Sequence, residues 1–492
     1  MASDRLSPAR ALPLSRVKQW DIETDVAIVG FGAAGASAAI EAAGSGAKVT
    51  LFEVGAGSGG ATALSGGEIY LGGGGGTPIQ KQNGFTDDTE SLYTYLKMAG
   101  GPDADEAKVR LYADNSLAHY NWLVEQGVPY KGTHLPGKII EPTTDDTLIW
   151  CGSEEAWPFV EKAKPAPRGH VIQWMGWGGG RKLMDVLEAR VRALGVDVRP
   201  NTRVLCLVAD EDGAVEGVVI RENGAEKFVR ARKGVILCTG GFCMNKDMLQ
   251  RYAPNVLVSN DPIGVVDDGS GIVMGQSVGG DAIHMDQFFT TCPWYPPENL
   301  VKGIMVNVHG QRFINEDCYH GRVSAYIAKQ PGSKAYLLLD NEIFDRPMEF
   351  SRVDVVATGD TWAEVEGELG MTPGTLTATV EVFNREAAKG HDPLFHKAKK
   401  WLKPLTKGPF AALEMEMGSA FFSYFTLGGL NTLPTGEVLS RDGKAIPGLY
   451  AAGRATSGLP RWGEGYSSGM SLADCTFFGR MAGRTAGERR VG

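Results

Sequence analysis

The first clear pattern of apolar positions begins at Asp25, where Asp-Val-Ala-Ile-Val forms a short β-branched run suited to a buried parallel strand. The run breaks at Gly30-Phe31-Gly32-Ala33-Ala34-Gly35, and an Ala-rich stretch over residues 33–43 predicts a helix that ends near Gly44 and Gly46. Apolar positions return over 47–52 as a second strand with Glu53 at its end. Together these make one βαβ unit. The same signature, an apolar strand ending in small residues, recurs at Val235-Ile236-Leu237-Cys238-Thr239-Gly240-Gly241 and at Gly448-Leu449-Tyr450-Ala451-Ala452-Gly453-Arg454. Further helices are predicted to open at Asp267-Asp268-Gly269-Ser270-Gly271 and at Ser467-Ser468-Gly469-Met470-Ser471-Leu472-Ala473. Residues 1–20 show no such pattern and read as a loose N-terminal arm.

Composition narrows the class. A chain of 492 residues, 43% apolar and 22% charged, has room for two or three domains and a large core. Glycine is in excess, at 66 residues, and 11 of these fall between positions 51 and 76. With 49 Lys+Arg against 58 Asp+Glu the chain is acidic, which argues against binding a phosphate backbone and so against nucleic acid as a partner. Seven scattered cysteines without a C-x-x-C pair suggest no disulfide framework, iron–sulfur cluster or metal site, and point to a reducing, cytoplasmic setting. No apolar run approaches the roughly 20 residues that a membrane span needs, and the N-terminus has no signal-peptide core.

The G-x-G-x-x-G segment lies between a strand and a helix, with an acid 18 residues beyond Gly35, which is the context a dinucleotide site requires. Gly30 permits the tight turn, Gly32 lets backbone approach a pyrophosphate, and Gly35 lets the helix pack on the strand. The N–H groups at Ala33 and Ala34 face the phosphates, and Glu53 accepts hydrogen bonds from a ribose. That unit alone fits a nicotinamide or a flavin dinucleotide. The small residues that follow, Gly60, Ala61, Thr62, Ser65, Gly66 and Gly67 among them, let backbone lie along an extended second half of the ligand.

These segments, in this order across residues 24–487, resemble the FAD-containing family of fumarate reductases, succinate dehydrogenase flavoprotein subunits and 3-ketosteroid dehydrogenases. The resemblance implies an α/β fold: a Rossmann-like FAD-binding domain from residues 21–285 and 411–492, with an inserted α+β catalytic domain at 286–410 that caps the flavin. It also implies that FAD is held by Gly30, Gly32, Ala33, Ala34, Gly35, Glu53, Gly60, Ala61, Thr62, Ser65, Gly66, Gly67, Thr239, Gly240, Asp268, Gly453, Arg454, Ser471 and Leu472. No metal is implied. The start of the last helix, near Ser471 and Leu472, would stabilise negative charge on the reduced flavin.

Family members that reduce fumarate carry a cationic pocket, and this chain keeps the frames while changing the contents. Arg312-Phe313-Ile314-Asn315-Glu316 is present, but the proton-donor position falls near His320, beside Tyr319. Phe425 precedes Thr426-Leu427-Gly428-Gly429, and the late arginine aligns with Tyr466. Burying a dicarboxylate without paired cations is prohibitively costly. Aromatic residues gather where the pocket should form: Phe288, Phe289, Trp294 and Tyr295, then Phe421, Phe422, Tyr424 and Phe425, then Trp462 and Tyr466. A flat apolar ligand is expected, with Phe288, Tyr295, Phe425, Trp462 and Gly469 against it.

The chain therefore looks like a 3-ketosteroid dehydrogenase. Such an enzyme polarises a carbonyl, removes an α-proton and passes a β-hydrogen with its electron pair to FAD. The expected carbonyl donor is the Tyr466 hydroxyl, aided by the Gly469 N–H. Ser468 is expected to take the proton and pass it to Tyr319, which relays it outward; Tyr319 as direct base is the close variant. Tyr466-Ser467-Ser468-Gly469 offers a hydroxyl where enzymes of the Δ1 type carry Pro-Gly after the tyrosine, which favours the Δ4-(5α) type, with a role in steroid catabolism. A Δ1-dehydrogenase, a reductase of enones or fumarate, and a flavin-binding sensor without catalysis remain the alternatives. A diffusible electron partner is implied in either direction of reaction, and for a dehydrogenase it is an external acceptor. The run Gly72 to Gly76 is expected either to line the pocket entrance or to form a mobile loop.

Overall fold

The apolar run and its flanks form a strand, β1 (Ile22–Val29), fully buried from Val26 to Val29. It leads into helix α1 (Ala33–Gly44) and then strand β2 (Val49–Phe52), which lies parallel to β1. A second helix, α2 (Gly179–Ala193), packs beside α1, and the 13-residue strand β3 (Ala225–Leu237) pairs in parallel with the other edge of β1. These belong to a nine-stranded sheet in which Ala445–Ala451 also pairs in parallel with the C-terminal end of β3. This is a computed structural model, and it describes residues 6–259, 261–292 and 294–490.

The last helix, α3 (Met470–Glu488), runs alongside α1, and the reason is legible in the residues. Gly479, Gly483 and Gly487 stand four apart and face Ala34, Ala38 and Ala42 in turn, so the helices run parallel. A Cβ on Gly479 would come within 2.5 Å of the Ala34 carbonyl oxygen, so the approach depends on bare backbone. Because the helices are parallel and in register, both N-termini reach the same end of the sheet, where they present positive dipole ends and free N–H groups.

Two further layers frame the site. Strand β4 (Phe288–Thr291) pairs antiparallel with β5 (Ser423–Thr426), which also pairs with Asp261–Pro262. Residues 304–416 build a four-stranded sheet in the order Ile304–Asn307, Lys334–Asp340, Phe410–Glu416, Val355–Gly359, over its own apolar core. Trp294, Tyr295 and Phe422 belong to that core, whereas Phe289, Tyr319, Phe425 and Tyr466 join the core of the large sheet. Arg312 and Glu316 of the Arg-Phe-Ile-Asn-Glu segment form a buried charge network with Asp392 and Lys397.

Two expectations need correcting. The supposed loose arm is tied down over its described part: Leu12–Pro13 pairs in parallel with Val208–Ala209, and Leu12 packs with Leu205 and Val219 in a small apolar cluster. Apolar residues at 12, 14, 17 and 20 supply the adhesion that their irregular spacing concealed. Residues 1–5 lie outside the described residues. The run Gly72–Gly76 lines neither cavity described below. It turns over the fully buried Asp87–Arg168 ion pair (2.7 Å), with the Gly73 N–H donating to Asp87 Oδ2 at 3.1 Å.

Candidate active site

The strand ends and helix starts converge on one cavity of about 1090 Å³. That is more than a single small-molecule pocket holds, and enough for a dinucleotide with a second ligand against it. Gly30, Gly32, Ala33 and Ala34 line it at the start of α1, and Glu53 lines it at the end of β2. Gly60, Ala61, Thr62, Ser65 and Gly66 follow, with Thr239, Gly240, Asp268 and Arg454 opposite and Ser471 and Leu472 at the start of α3. Glu53 accepts hydrogen bonds from the Phe31 N–H (2.7 Å) and the Gly55 N–H (2.6 Å), which fixes its carboxylate at the cavity edge.

Three of the expected cofactor residues do not line the cavity, and they shape it from behind. A Cβ on Gly35 would collide with the Gly30 carbonyl oxygen, so Gly35 lets α1 close on β1. Gly67 lies against Gly179 and Gly180 of α2, and Gly453 against Ala34 and Cys475.

The residues fit a flavin dinucleotide on evidence internal to the structure. Thr239 Oγ1 and Arg454 Nη1 are buried polar atoms without a protein partner, and both residues face the cavity. An unsatisfied buried donor is costly, and a polar ligand in the cavity removes that cost. Two helix N-termini and a wall of bare backbone complete a cradle for an extended anionic ligand.

At the far side the wall becomes aromatic. Phe289 on β4 is the hub: its ring lies 4.9 Å from Phe425 and 6.3 Å from Tyr319, and it packs tightly on Tyr466 as well. Tyr466, Ser468 and Gly469 reach the cavity from the turn before α3, and Tyr319 and His320 reach it from the start of the helix His320–Ile327. The Tyr466 O–H donates to Ser471 Oγ at 3.1 Å. Gly469 has φ of +87°, and a Cβ there would stand 2.8 Å from the Tyr70 nitrogen, so the turn that presents Tyr466 and Ser468 requires glycine.

Burial sets the protonation states. It holds the Tyr319 and Tyr466 phenols well above their ordinary pKa, with the neighbouring Tyr466 adding to the effect on Tyr319, while the Ser468 side chain works the other way. Both are neutral hydroxyl donors at neutral pH. His320 is pushed down to about 3 by burial and by Lys138, so it is a neutral imidazole, bonded through Nδ1 to the Thr291 hydroxyl.

The aromatic contacts expected on the substrate are partly rearranged. Phe425 lines the cavity, but Phe288, Tyr295 and Trp462 do not. Side chains alternate along β4, so Phe289 and Thr291 face the cavity and Phe288 faces away. The Trp462 ring covers Gly101, and Tyr295 lines a smaller, separate cavity behind Tyr319. In their place stand Phe289, Phe421 and residues with no earlier signal: Ile140, Trp177, Met348 and Phe350.

Sequence reading also missed two acids on the wall, Glu68 and Glu141, whose carboxyls meet over Gly66. Burial first, and the charge of Glu141 second, raise Glu68 to about 8. Glu141 is raised too, by burial, although it accepts a bond from the Gly178 N–H at 2.9 Å. Glu68 was readable only as one polar residue in a short strand, and Glu141 lies in an irregular stretch with no motif.

The cradle and the hydroxyl-bearing aromatic pocket beside it define an FAD-dependent oxidoreductase. Residues 25–470 match the FAD binding domain family, and the chain belongs to it. The structure is similar to that of a 3-ketosteroid-Δ4-(5α)-dehydrogenase from Rhodococcus jostii RHA1 in complex with 4-androstene-3,17-dione, at 43% identity and a TM-score of 0.91, covering 98% of this chain and 100% of that one. Among curated proteins it is 28% identical to the 3-oxo-5-alpha-steroid 4-dehydrogenase of Comamonas testosteroni, over 88% of this chain and 93% of that one. It is also 28% identical to a probable fumarate reductase of Shewanella frigidimarina, over 95% of this chain and 75% of that one. FAD is the cofactor.

Proposed function

We propose that the protein is a 3-ketosteroid dehydrogenase of the Δ4-(5α) type, which introduces the C4–C5 double bond into 3-keto-5α-steroids and passes the electrons through FAD to an external, diffusible acceptor. The observation that carries this over a carboxylate substrate is the charge of the cavity wall. Both arginines on it are ion-paired, Arg454 with Asp267 and Arg203 with Asp268 (each 3.1 Å), and His320 is neutral. Glu68 and Glu141, whose carboxyls burial holds toward the neutral form, bring no cation to the same wall. A dicarboxylate would meet no free cation there among the described residues, and desolvating it would cost several kcal/mol per charge. A flat neutral ketone meets Phe289, Phe425 and Tyr466 instead.

FAD supplies the two-electron acceptor. With substrate bound, the Tyr466 hydroxyl turns its proton from Ser471 Oγ to the substrate carbonyl, and together with the Gly469 N–H at the start of α3 it stabilises the developing enolate. Ser468 takes the α-proton and hands its own to Tyr319. Tyr319 is a donor and relay and not a standing base, because burial keeps its phenol protonated. All seven cysteines are free thiols and no described helix is long and apolar enough to cross a membrane, which supports a place in the cytoplasm.

The test is anaerobic mixing of the purified holoenzyme with a saturated 5α-3-ketosteroid. Bleaching of the flavin, with a product two mass units lighter and unsaturated at C4–C5, is expected. Absence of bleaching overturns the reading, and a C1–C2 double bond in the product moves it to the Δ1 type.

A further inference from the structure

Ser468 and Tyr319 come from separate segments, Ser468 from the turn before α3 and Tyr319 from the start of the helix His320–Ile327. Both segments are bonded to one short stretch of chain, Cys151–Ser153. The Ser468 N–H donates to the Cys151 carbonyl oxygen at 2.9 Å, and the Tyr319 N–H donates to Ser153 Oγ at 3.0 Å. A buried phenol closes the brace. The Tyr95 hydroxyl, on the helix Thr89–Ala99, accepts from the Ser153 N–H at 2.8 Å and lies 2.7 Å from Ser467 Oγ. Because that oxygen already accepts from Ser153, its own proton is left for Ser467. Gly152 makes the arrangement possible, since a Cβ there would collide with both the Ser467 and the Tyr95 hydroxyl oxygens.

A proton passes between two hydroxyls only when their oxygens stand at hydrogen-bond distance, about 2.6–3.2 Å. Ser468 and Tyr319 meet that condition only if the turn before α3 and the start of the helix His320–Ile327 keep one register. We propose that Tyr95 is the positioning residue that sets this register, holding Ser467 on one side and Ser153 on the other. The inference rests on the steroid reading above. Ser467 stands between Tyr466 and Ser468 in the chain, so a bond that fixes it also fixes the direction in which both neighbours project. Tyr95 does not line the flavin cavity and therefore acts through Ser467 and Ser153.

The surroundings make the phenol a fixed point. Tyr95 is fully buried, its ring stacked on Tyr70 at 5.5 Å and packed against Phe159 at 5.0 Å. Burial holds its pKa well above the ordinary phenol value, so the hydroxyl keeps the proton that it donates.

The experiment compares wild type with Tyr95→Phe, which keeps the ring and removes the hydroxyl, in anaerobic stopped-flow bleaching by a 5α-3-ketosteroid. Bleaching and solvent deuterium entry at the α-carbon should both slow by roughly 10- to 100-fold, with FAD content and steroid affinity unchanged. Ser467→Ala breaks the same bond from its other end and should slow both by a similar factor. The double variant should be no slower than either single one, because one bond is lost once. In a Ser468→Ala background Tyr95→Phe should add nothing. Wild-type rates in Tyr95→Phe overturn the role, as do losses that multiply in the double variant or that fall on steroid affinity in place of rate. If Tyr95→Phe fails to hold FAD, Ser467→Ala decides in its place: slowing that is absent from a Ser468→Ala background supports the role, and an unchanged rate overturns it. A wild type that is not bleached at all overturns the steroid reading, and this role with it; a bleached wild type with unaffected variants overturns the role alone.

Discussion

The rings of Phe289 and Tyr466 pack 4.2 Å apart at an interplanar angle of 40°, joining β4 to the turn before α3. The contact fixes where the Tyr466 hydroxyl stands. The same turn is held from below, because a Cβ on Gly463 would collide with the Phe288 carbonyl oxygen and one on Gly465 with the Ala99 carbonyl oxygen. A phenol pinned on both sides is preorganised, and preorganised donors are the ones that lower barriers.

Tyr466→Phe keeps this packing and removes only the donor. The rate of steroid-driven flavin bleaching should fall about 100- to 1000-fold while steroid affinity changes little. Stopped-flow bleaching together with equilibrium steroid binding checks both halves, and an unchanged rate removes Tyr466 from the carbonyl.

Ser468→Ala leaves the Gly469 turn and the flavin cradle intact. Solvent deuterium should enter the α-carbon of a bound 3-ketosteroid more slowly by at least about 100-fold, read by mass spectrometry, with FAD content unchanged. Exchange at the wild-type rate places the base elsewhere.

Gly35→Ala places a methyl where the Gly30 carbonyl oxygen already sits, so β1 and α1 must part. The variant should purify with little or no bound flavin and a lowered Tm, as overpacking commonly costs about 1–3 kcal/mol. Flavin absorbance per protein and thermal unfolding measure these outcomes.

Glu68→Gln tests the acid pair. Folding raises the Glu68 pKa from its ordinary 4.5 to about 8, so the folded state is penalised once this carboxyl must ionise. The stabilising contribution of the protonated form is complete below about pH 4.5 and is lost as pH rises through about 8. Glu68→Gln should match wild type in Tm at the acid end and exceed it by a margin that grows to about pH 8 and then levels off. A constant difference across that range shows that the carboxyl is not buried in its neutral form.

The βαβ unit, the backbone cradle and the kind of cofactor are legible in the chain alone, because each depends on residues close in sequence: an apolar run, glycines at fixed spacing, an acid at the end of the next strand. Gly479, Gly483 and Gly487 could have been read the same way, since their four-residue spacing already describes a bare helix face. Tyr319, Tyr466 and Ser468 were identifiable from their frames, although nothing local says that they meet.

The pocket wall was beyond such reading. The pleat of β4 turned Phe289 inward and Phe288 outward, and a one-residue difference of that kind depends on which face of the strand is buried, hence on partners far along the chain. Tyr295 lies beyond the end of β4 and packs into the core of the four-stranded sheet, which places it on the second cavity and away from the substrate. Glu68 and Glu141 sit in no motif. Their chemistry arises only where folding removes water and brings together groups that are independent in the unfolded chain, so it is decided by burial and proximity and leaves no pattern in the order of residues.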